Sequence, residues 1–222
     1  MTLFLVSSSR GRHPLRRGSS HIRYLSNRAL RRIFSYQRWL VLYSELKSKK
    51  GSDSSVPVEL RRAEESDTAA IVAALPDELV GHLPREAVDN MVRSRFKNGV
   101  PCFLALAEGS VVGGCWCPTS RTAQFFDLAN AAEITTLFVA PPGRGRGIGT
   151  LLCRYASESL ARAGRSYCVS LVWYSRPASV KAHLNAGFKP IGEKLTISLF
   201  GIRWSRYSAN TNPKRLRVLW PE

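Results

Sequence analysis

Acidic side chains are in short supply in this chain. Only 16 Asp and Glu stand against 33 Lys and Arg in 222 residues, which gives a net charge of +17. An imbalance of this kind bears on partners and solubility rather than on fold. Long apolar runs are missing as well: no stretch reaches the roughly 18 to 20 apolar residues of a membrane-spanning helix, so an integral helical membrane protein is not expected. The first residues contain no apolar core followed by a small-residue cleavage site, which argues against a secretory signal. Paired cysteines are lacking too. Cys102, Cys115, Cys117, Cys153 and Cys168 are odd in number and irregular in spacing, a poor disulfide framework. Cys115 and Cys117 are one residue apart and no second ligand pair follows at metal spacing, so no metal is expected. The cysteines read as reduced, small apolar fillers of a cytoplasmic protein. No internal repeat is visible. What remains is 44% hydrophobic and 22% charged, the composition of a folded domain long enough to bury its own core.

The surplus of positive charge is uneven. Residues 1–55 carry +10 and residues 194–222 carry +5, while residues 56–193 carry only +2. Residues 1–23 hold five arginines, several serines and no acid. They read as a basic disordered tail or as an organellar transit segment. In residues 24–46, Leu25, Ala29, Ile33, Tyr36, Leu40 and Tyr43 step by three or four, and this period predicts an amphipathic basic helix. Its apolar side has two uses: packing on the rest of the protein or on a second subunit, or lying on an anionic membrane surface as a peripheral anchor. Residues 47–56 are charged and then Ser/Gly-rich, as a linker is. Residues 57–222 form the main domain in this reading.

That domain alternates strands and helices. Val58 to Arg62 alternates like a strand. Ser66 or Asp67 caps a helix that Pro76 closes, and Pro84 opens a second one containing Val88, Met91, Val92 and Phe96. Cys102–Ala107 and Val111–Cys117 read as a hairpin around Glu108, Gly109 and Ser110. A strand over 132–140, a helix from Ile148 to Ala163 stopped by Gly164, a strand over 167–172, a short helix from Pro177 closed by Gly187, and a strand from Phe188 onward follow. This order implies an α/β (α+β) fold, a mixed sheet with helices packed on it. Trp204, Tyr207 and Trp220 are expected as core residues of C-terminal strands. The stretch Thr119–Asn130, with Ser120, Arg121, Gln124, Phe125, Phe126 and Asp127, suits a pocket wall and an ordinary loop equally.

The segment that carries chemistry is 137–150: Leu-Phe-Val-Ala-Pro-Pro-Gly-Arg-Gly-Arg-Gly-Ile-Gly-Thr. A strand ends, two prolines break it, and a glycine-rich loop runs directly into a helix. Glycine lets the backbone come close to a ligand, and a helix N-terminus offers unpaired N–H groups to a phosphate. The spacing of Gly145, Gly147 and Gly149 is not that of the dinucleotide fingerprint, and no Gly-Lys-Ser/Thr follows as in a P-loop.

Arg144-x-x-Gly147-x-Gly149 after such a strand resembles the acyl-coenzyme A loop of the GNAT acyltransferase superfamily. The later run Arg176-Pro-Ala-Ser179-Val-Lys-Ala-His183-Leu-Asn-Ala-Gly187-Phe188 resembles that family's last motif, and the resemblance spans roughly residues 57–200. It implies a mostly antiparallel sheet of six to seven strands, splayed in a V between its central strands, with helices on both faces. It implies acetyl-coenzyme A as cosubstrate, with no metal. The backbone from Arg144 through Gly145, Arg146, Gly147, Ile148 and Gly149 to Thr150 would hold the pyrophosphate. Leu137, Phe138 and Val139 would carry the pantetheine arm. Glu133, six residues before Val139, would be the general base, since desolvation raises a carboxyl toward the useful range. His183 stands where the family often has a Tyr acid, and its imidazolium would protonate the departing thiolate. Arg176 replaces a frequent Asn. It cannot accept a hydrogen bond, and would contact a coenzyme phosphate or an acidic acceptor.

The implied function is an N-acetyltransferase acting by direct attack on the primary amine of a small molecule, sugar or protein. Two alternatives stay open: a coenzyme A-binding module with little or no catalysis, and a basic RNA- or ribosome-associated protein. Against the second, the ends lack the glycine–aromatic signature of an RNA-recognition sheet and the chain lacks a zinc-finger pattern.

Overall fold

The computed structural model describes residues 34–46, 57–81 and 83–209. Its centre is one eight-stranded sheet, made of β1 (Phe34–Glu45), β2 (Glu59–Arg62), β3 (Cys102–Ala107), β4 (Ser110–Trp116), β5 (Ala131–Val139), β6 (Tyr167–Trp173), β7 (Lys189–Leu199) and β8 (Ile202–Ala209). The strands run in the order β2-β3-β4-β5-β6-β1-β7-β8. Every neighbouring pair is antiparallel except β5 and β6, which are parallel. The helices are α1 (Thr68–Ala74), α2 (Asp77–Val80), α3 (Arg85–Lys97), α4 (Ile148–Arg162) and α5 (Pro177–Asn185).

Alternation along the strands divides the core in two. Leu104, Trp116 and Phe138 face α1 and α3, where they meet Ile71, Val88 and Val92. Phe103 and Cys115, with Leu42, Ile134 and Cys168, face the other way onto Cys153, Ala156 and Leu160 of α4. Beyond α1 and α3, the first face is continued by Val41, Ala131, Val169 and Tyr207. A 3-10 segment, Thr122–Phe126, covers it there: Phe125 stacks on Tyr207 at 4.0 Å between ring centroids. The β3–β4 turn and the end of α4 fall where the sequence predicts. Glu108 and Gly109 both have positive φ between β3 and β4, as a two-residue type I′ turn requires. Gly164, at φ 79°, stops α4, with the Arg165 N–H bonded back to the Leu160 carbonyl at 3.0 Å. Among the described residues no helix is long and apolar enough to cross a membrane.

Residues 34–45 correct the expected N-terminal helix. They are strand β1, hydrogen-bonded to β6 on one side and to β7 on the other. The sheet therefore begins at Phe34 rather than after residue 57, and has eight strands instead of six or seven. The physical reason is burial on both faces. Leu42 packs toward α4 while Val41 packs on the opposite layer, so Trp39–Tyr43 is a continuous apolar run. Such a run satisfies a helical period by coincidence, while its β-branched and aromatic members favour a strand. Residues 24–33 of the expected helix, the tail over 1–23 and the linker over 47–56 lie outside the described residues, as does Trp220. Tyr207 is buried as expected, but Trp204 is exposed on β8.

Candidate active site

The parallel ladder between β5 and β6 is short. It runs from Ala131 opposite Tyr167 to Ile134 opposite Ser170 and then stops, although both strands continue. At the fork, the buried Ser170 donates its hydroxyl to the Ile134 carbonyl at 3.1 Å, satisfying a group the ladder no longer serves. A bulge turns β5 away: Phe138 faces Gly114 and Thr135 faces Trp116, leaving one extra residue on β5. The extra turn is taken at Thr136, whose φ is 49°, an uncommon conformation for a β-branched residue. Beyond the bulge the Ala140 N–H bonds the Val112 carbonyl of the β3–β4 side at 2.9 Å. Alternation then points the N–H and C=O of Val139, and those of Leu137, away from β4 toward the gap.

The gap leads to the glycine loop. Gly145 and Gly147 both have φ of 78°, and Gly147 is the N-cap of α4. No side chain caps this helix, so its first-turn N–H groups from Ile148 to Thr150 are left for a ligand, beside the positive end of a 15-residue helix dipole. A Cβ at Gly149 would lie 3.4 Å from the Ala182 Cβ of α5 and 3.8 Å from Val139 Cγ2. The absent side chain therefore keeps open the cradle where β5, α4 and α5 converge. The side chains of two of the expected site residues, Phe138 and Ile148, are buried in the core.

Arg144 and Arg176 stand at the ends of the two arms of the fork, Arg144 after β5 and Arg176 after β6. Arg144 donates Nε to the Val139 carbonyl at 3.2 Å and reaches the Glu78 carboxylate at 3.4 Å. Arg176 donates to the Glu78 carbonyl at 3.3 Å, with its guanidinium 5.1 Å from the centre of the Trp173 ring. Glu78 of α2 thus ties both arginines. Its own backbone N–H, and then Arg144, hold its carboxyl below the usual range. No local pattern marks this residue, because the contact joins segments far apart in the chain.

Glu133 sits one residue before the fork point, on the face opposite α4. Desolvation raises its carboxyl above the ordinary value; hydrogen bonds from Ser120 and Thr122 and the charge of Lys194 oppose this without cancelling it. Ser120 Oγ donates to its Oε2 at 3.2 Å. Ser120 and Thr122 come from the stretch left open between pocket wall and loop, and they lie on the carboxylate.

His183 falls on α5 and is buried, its ring edge-on to Phe188 at 5.2 Å. Its Nδ1 lies 2.8 Å from the Ser179 carbonyl oxygen. That oxygen can only accept, so Nδ1 carries the proton and Nε2 a lone pair. Burial pushes its pKa down, against the smaller effect of the Ser179 bond. The expected imidazolium is therefore not the form the fold favours, and neutral His183 has no proton at Nε2 to give. The five cysteines are all buried. Burial pushes the thiols of Cys153 and Cys168 up, which disfavours the thiolate a covalent route needs.

A strand pair that forks onto an uncapped, glycine-lined helix N-terminus is the geometry the resemblance implied. The family model described as Acetyltransferase (GNAT) family matches residues 36–188. The chain belongs to the GNAT acetyltransferase family. The match includes most of β1 and so agrees with its place in the sheet. As a GNAT protein the chain is an acyltransferase. An aminoalkylphosphonate N-acetyltransferase of Salmonella typhimurium is 31% identical over 144 residues, covering 64% of this chain and 91% of that protein. A GCN5-related N-acetyltransferase from Sphaerobacter thermophilus shares the fold at TM-score 0.59 and 20% identity, over 83% of this chain and 57% of that longer one. AAC(6')-Iy, solved in complex with the bisubstrate analog CoA-S-monomethyl-acetylneamine, aligns at TM-score 0.53 and 19% identity, over 60% of this chain and 92% of its own.

Proposed function

We propose that this GNAT protein transfers an acetyl group from acetyl-coenzyme A to the primary amine of a small molecule by direct attack. The observation that carries this reading is the fork itself, with free β5 edge, uncapped α4 and a desolvated carboxylate at its apex. The first-turn N–H groups of α4, with Arg144, Arg146 and Arg176, suit the pyrophosphate. The outward backbone groups of Leu137 and Val139 suit an amide-bearing arm laid along the open edge, and an N–H there would polarise the thioester carbonyl. Glu133 takes a proton from the ammonium, directly or through water, so that the neutral amine attacks. The amine–carbon bond forms, the nitrogen releases its second proton to solvent, the carbon–sulfur bond breaks, and the thiolate takes a proton from solvent. Neutral His183 acts here by packing α5 against Phe188 rather than as the acid.

The acceptors named for two relatives, an aminoalkylphosphonate and an aminoglycoside-like neamine, support a small amine over a sugar nucleotide or protein. The test is mass spectrometry of acetyl transfer to a panel of such amines. Glu133→Gln should lower kcat by about 10²- to 10³-fold while leaving the dissociation constant for acetyl-coenzyme A nearly unchanged. Replacing Gly147 and Gly149 together with bulky residues should abolish coenzyme binding in a folded protein; unchanged binding would sink the reading. The lowered pKa of His183 and the Arg at position 176 favour a second reading, a coenzyme-binding module without turnover. Transfer to any amine of the panel decides against it.

A further inference from the structure

The end of the sheet farthest from β2 carries a feature the acyltransfer reading does not use. Past Trp39, β1 leaves β6 and pairs with β7 alone. Residues 34–38 therefore project with the outer halves of β7 and β8 as a three-stranded ribbon. The register sets Phe34 opposite Leu199, and Leu199 opposite Ile202; Tyr36 lies opposite Ile197, and Ile197 opposite Trp204. Directly opposed residues share a face, so Phe34, Tyr36, Leu199, Ile202 and Trp204 form one apolar surface, with Phe200 at the turn beyond it. All six are exposed: Phe200 is 74% accessible, Ile202 59%, Tyr36 57% and Phe34 53%. A contiguous patch of this kind marks an interaction site rather than scattered surface apolarity.

Charge says what it meets. Over 34–38 and 194–209 there is no carboxylate, against Arg38, Lys194, Arg203 and Arg206. Arg38 is taken by Glu193, just inside the ribbon, in a paired contact at 2.7 and 2.9 Å, and Lys194 lies over the Tyr207 ring with its charge toward Glu133, so Arg203 and Arg206 are the surplus cations. The chain enters the ribbon at its tip, through residues 1–33, which contain eight arginines and no acid. A second copy would bring the same sign of charge to the same place. Nucleic acid would suit the charge and the aromatic rings, but not the aliphatic Leu199 and Ile202, which offer no stacking face. Apolar and aromatic side chains at a protruding tip with cations behind them fit the interface of an anionic bilayer, where rings and aliphatics enter the headgroup boundary and Lys and Arg meet the surface charge.

We propose that the tip of the β1–β7–β8 ribbon docks on an anionic lipid surface. The test is cosedimentation of the full chain with vesicles of phosphatidylcholine alone and with about one third phosphatidylglycerol. Wild type should partition onto the anionic vesicles only, and less so as salt is raised. The Phe200→Ser/Ile202→Ser variant changes only exposed side chains and should keep its melting temperature, yet lose about tenfold or more in partition. Arg203→Glu/Arg206→Glu should weaken partition without altering folding. Equal failure of wild type on both vesicles overturns the proposal. So does full binding by the Phe200/Ile202 variant, since the basic N-terminal residues would then suffice. If sedimentation equilibrium shows a dimer, or gel shift an RNA complex, that the same variant loses while lipid binding persists, the surface belongs to that partner instead.

Discussion

Glu133, the proposed base, illustrates what a desolvated carboxyl costs its fold. Its carboxyl is raised in the folded protein, so below the ordinary carboxylate range both states are neutral and it costs nothing. As pH rises through the raised value the unfolded state has already released its proton and the folded state must ionise a desolvated group, so stability falls. Glu133→Gln should therefore melt higher than wild type at neutral pH and equally at strongly acid pH, even as it loses activity. If Glu133 is the base, as proposed, kcat/KM should rise with pH through the Glu133 titration, and Glu133→Gln should remove that limb. His183 works with the opposite sign. Its folded pKa lies below the ordinary 6.5, so the stability it contributes is present above that value and lost as pH falls toward the folded pKa. Denaturant unfolding of wild type should weaken over that window, and His183→Leu should flatten the slope. The family resemblance singled out both residues in the sequence. The raised carboxyl of Glu133 was expected from the sequence, but its hydrogen-bond partners Ser120 and Thr122, and the burial beside Phe188 that disfavours the imidazolium of His183, appear only in the fold.

Among the elements, α4 and the β3–β4 hairpin could be read because punctuation marks them: Gly147 and Gly164 bound the helix, and Glu108-Gly109 makes the turn. β1 could not, because a strand buried on both faces has no period of its own. This gives a sharp expectation. A chain lacking residues 1–56, which keeps the whole main domain expected from the sequence, should fail to fold, as circular dichroism would report, because β6 and β7 lose their shared partner. Leu42→Ala alone should cost about 2–5 kcal/mol by denaturant titration, since Leu42 is fully buried. At the mouth of the fork, α2 presents the Glu78 carboxylate to Arg144, where it would compete with a phosphate in the proposed coenzyme site. Glu78→Gln should tighten coenzyme A binding by up to about fivefold in calorimetry, the small size following from the exposure of the pair. That contact is invisible to any local pattern.

For the molecule as a whole, charge and fold are separable. The proposed coenzyme site has cations of its own in Arg144, Arg146 and Arg176, and the described sheet begins at Phe34. Removing residues 1–33 takes away eight arginines and no acid, about half of the +17 net charge. Such a chain should melt at the wild-type temperature in scanning calorimetry and bind coenzyme A as before, with a lower isoelectric point. The surplus charge was apparent from composition alone, but its meeting with an apolar ribbon was not, since Phe34, Leu199 and Ile202 become neighbours only through strand register.

The position of β1 also governs when this protein can fold. Both strands that hold it, β6 and β7, are made late: Trp39 waits for Trp173 and Lys194. While the ribosome translates the intervening chain, Trp39-Leu40-Val41-Leu42-Tyr43 has no native partner, and an unpaired apolar strand invites aggregation. The protein cannot complete its sheet from the N-terminus outward. Its folding should be slow, as closure of long loops dictates, and its yield in cells should depend on chaperones that shelter an early strand until the last third of the chain has emerged.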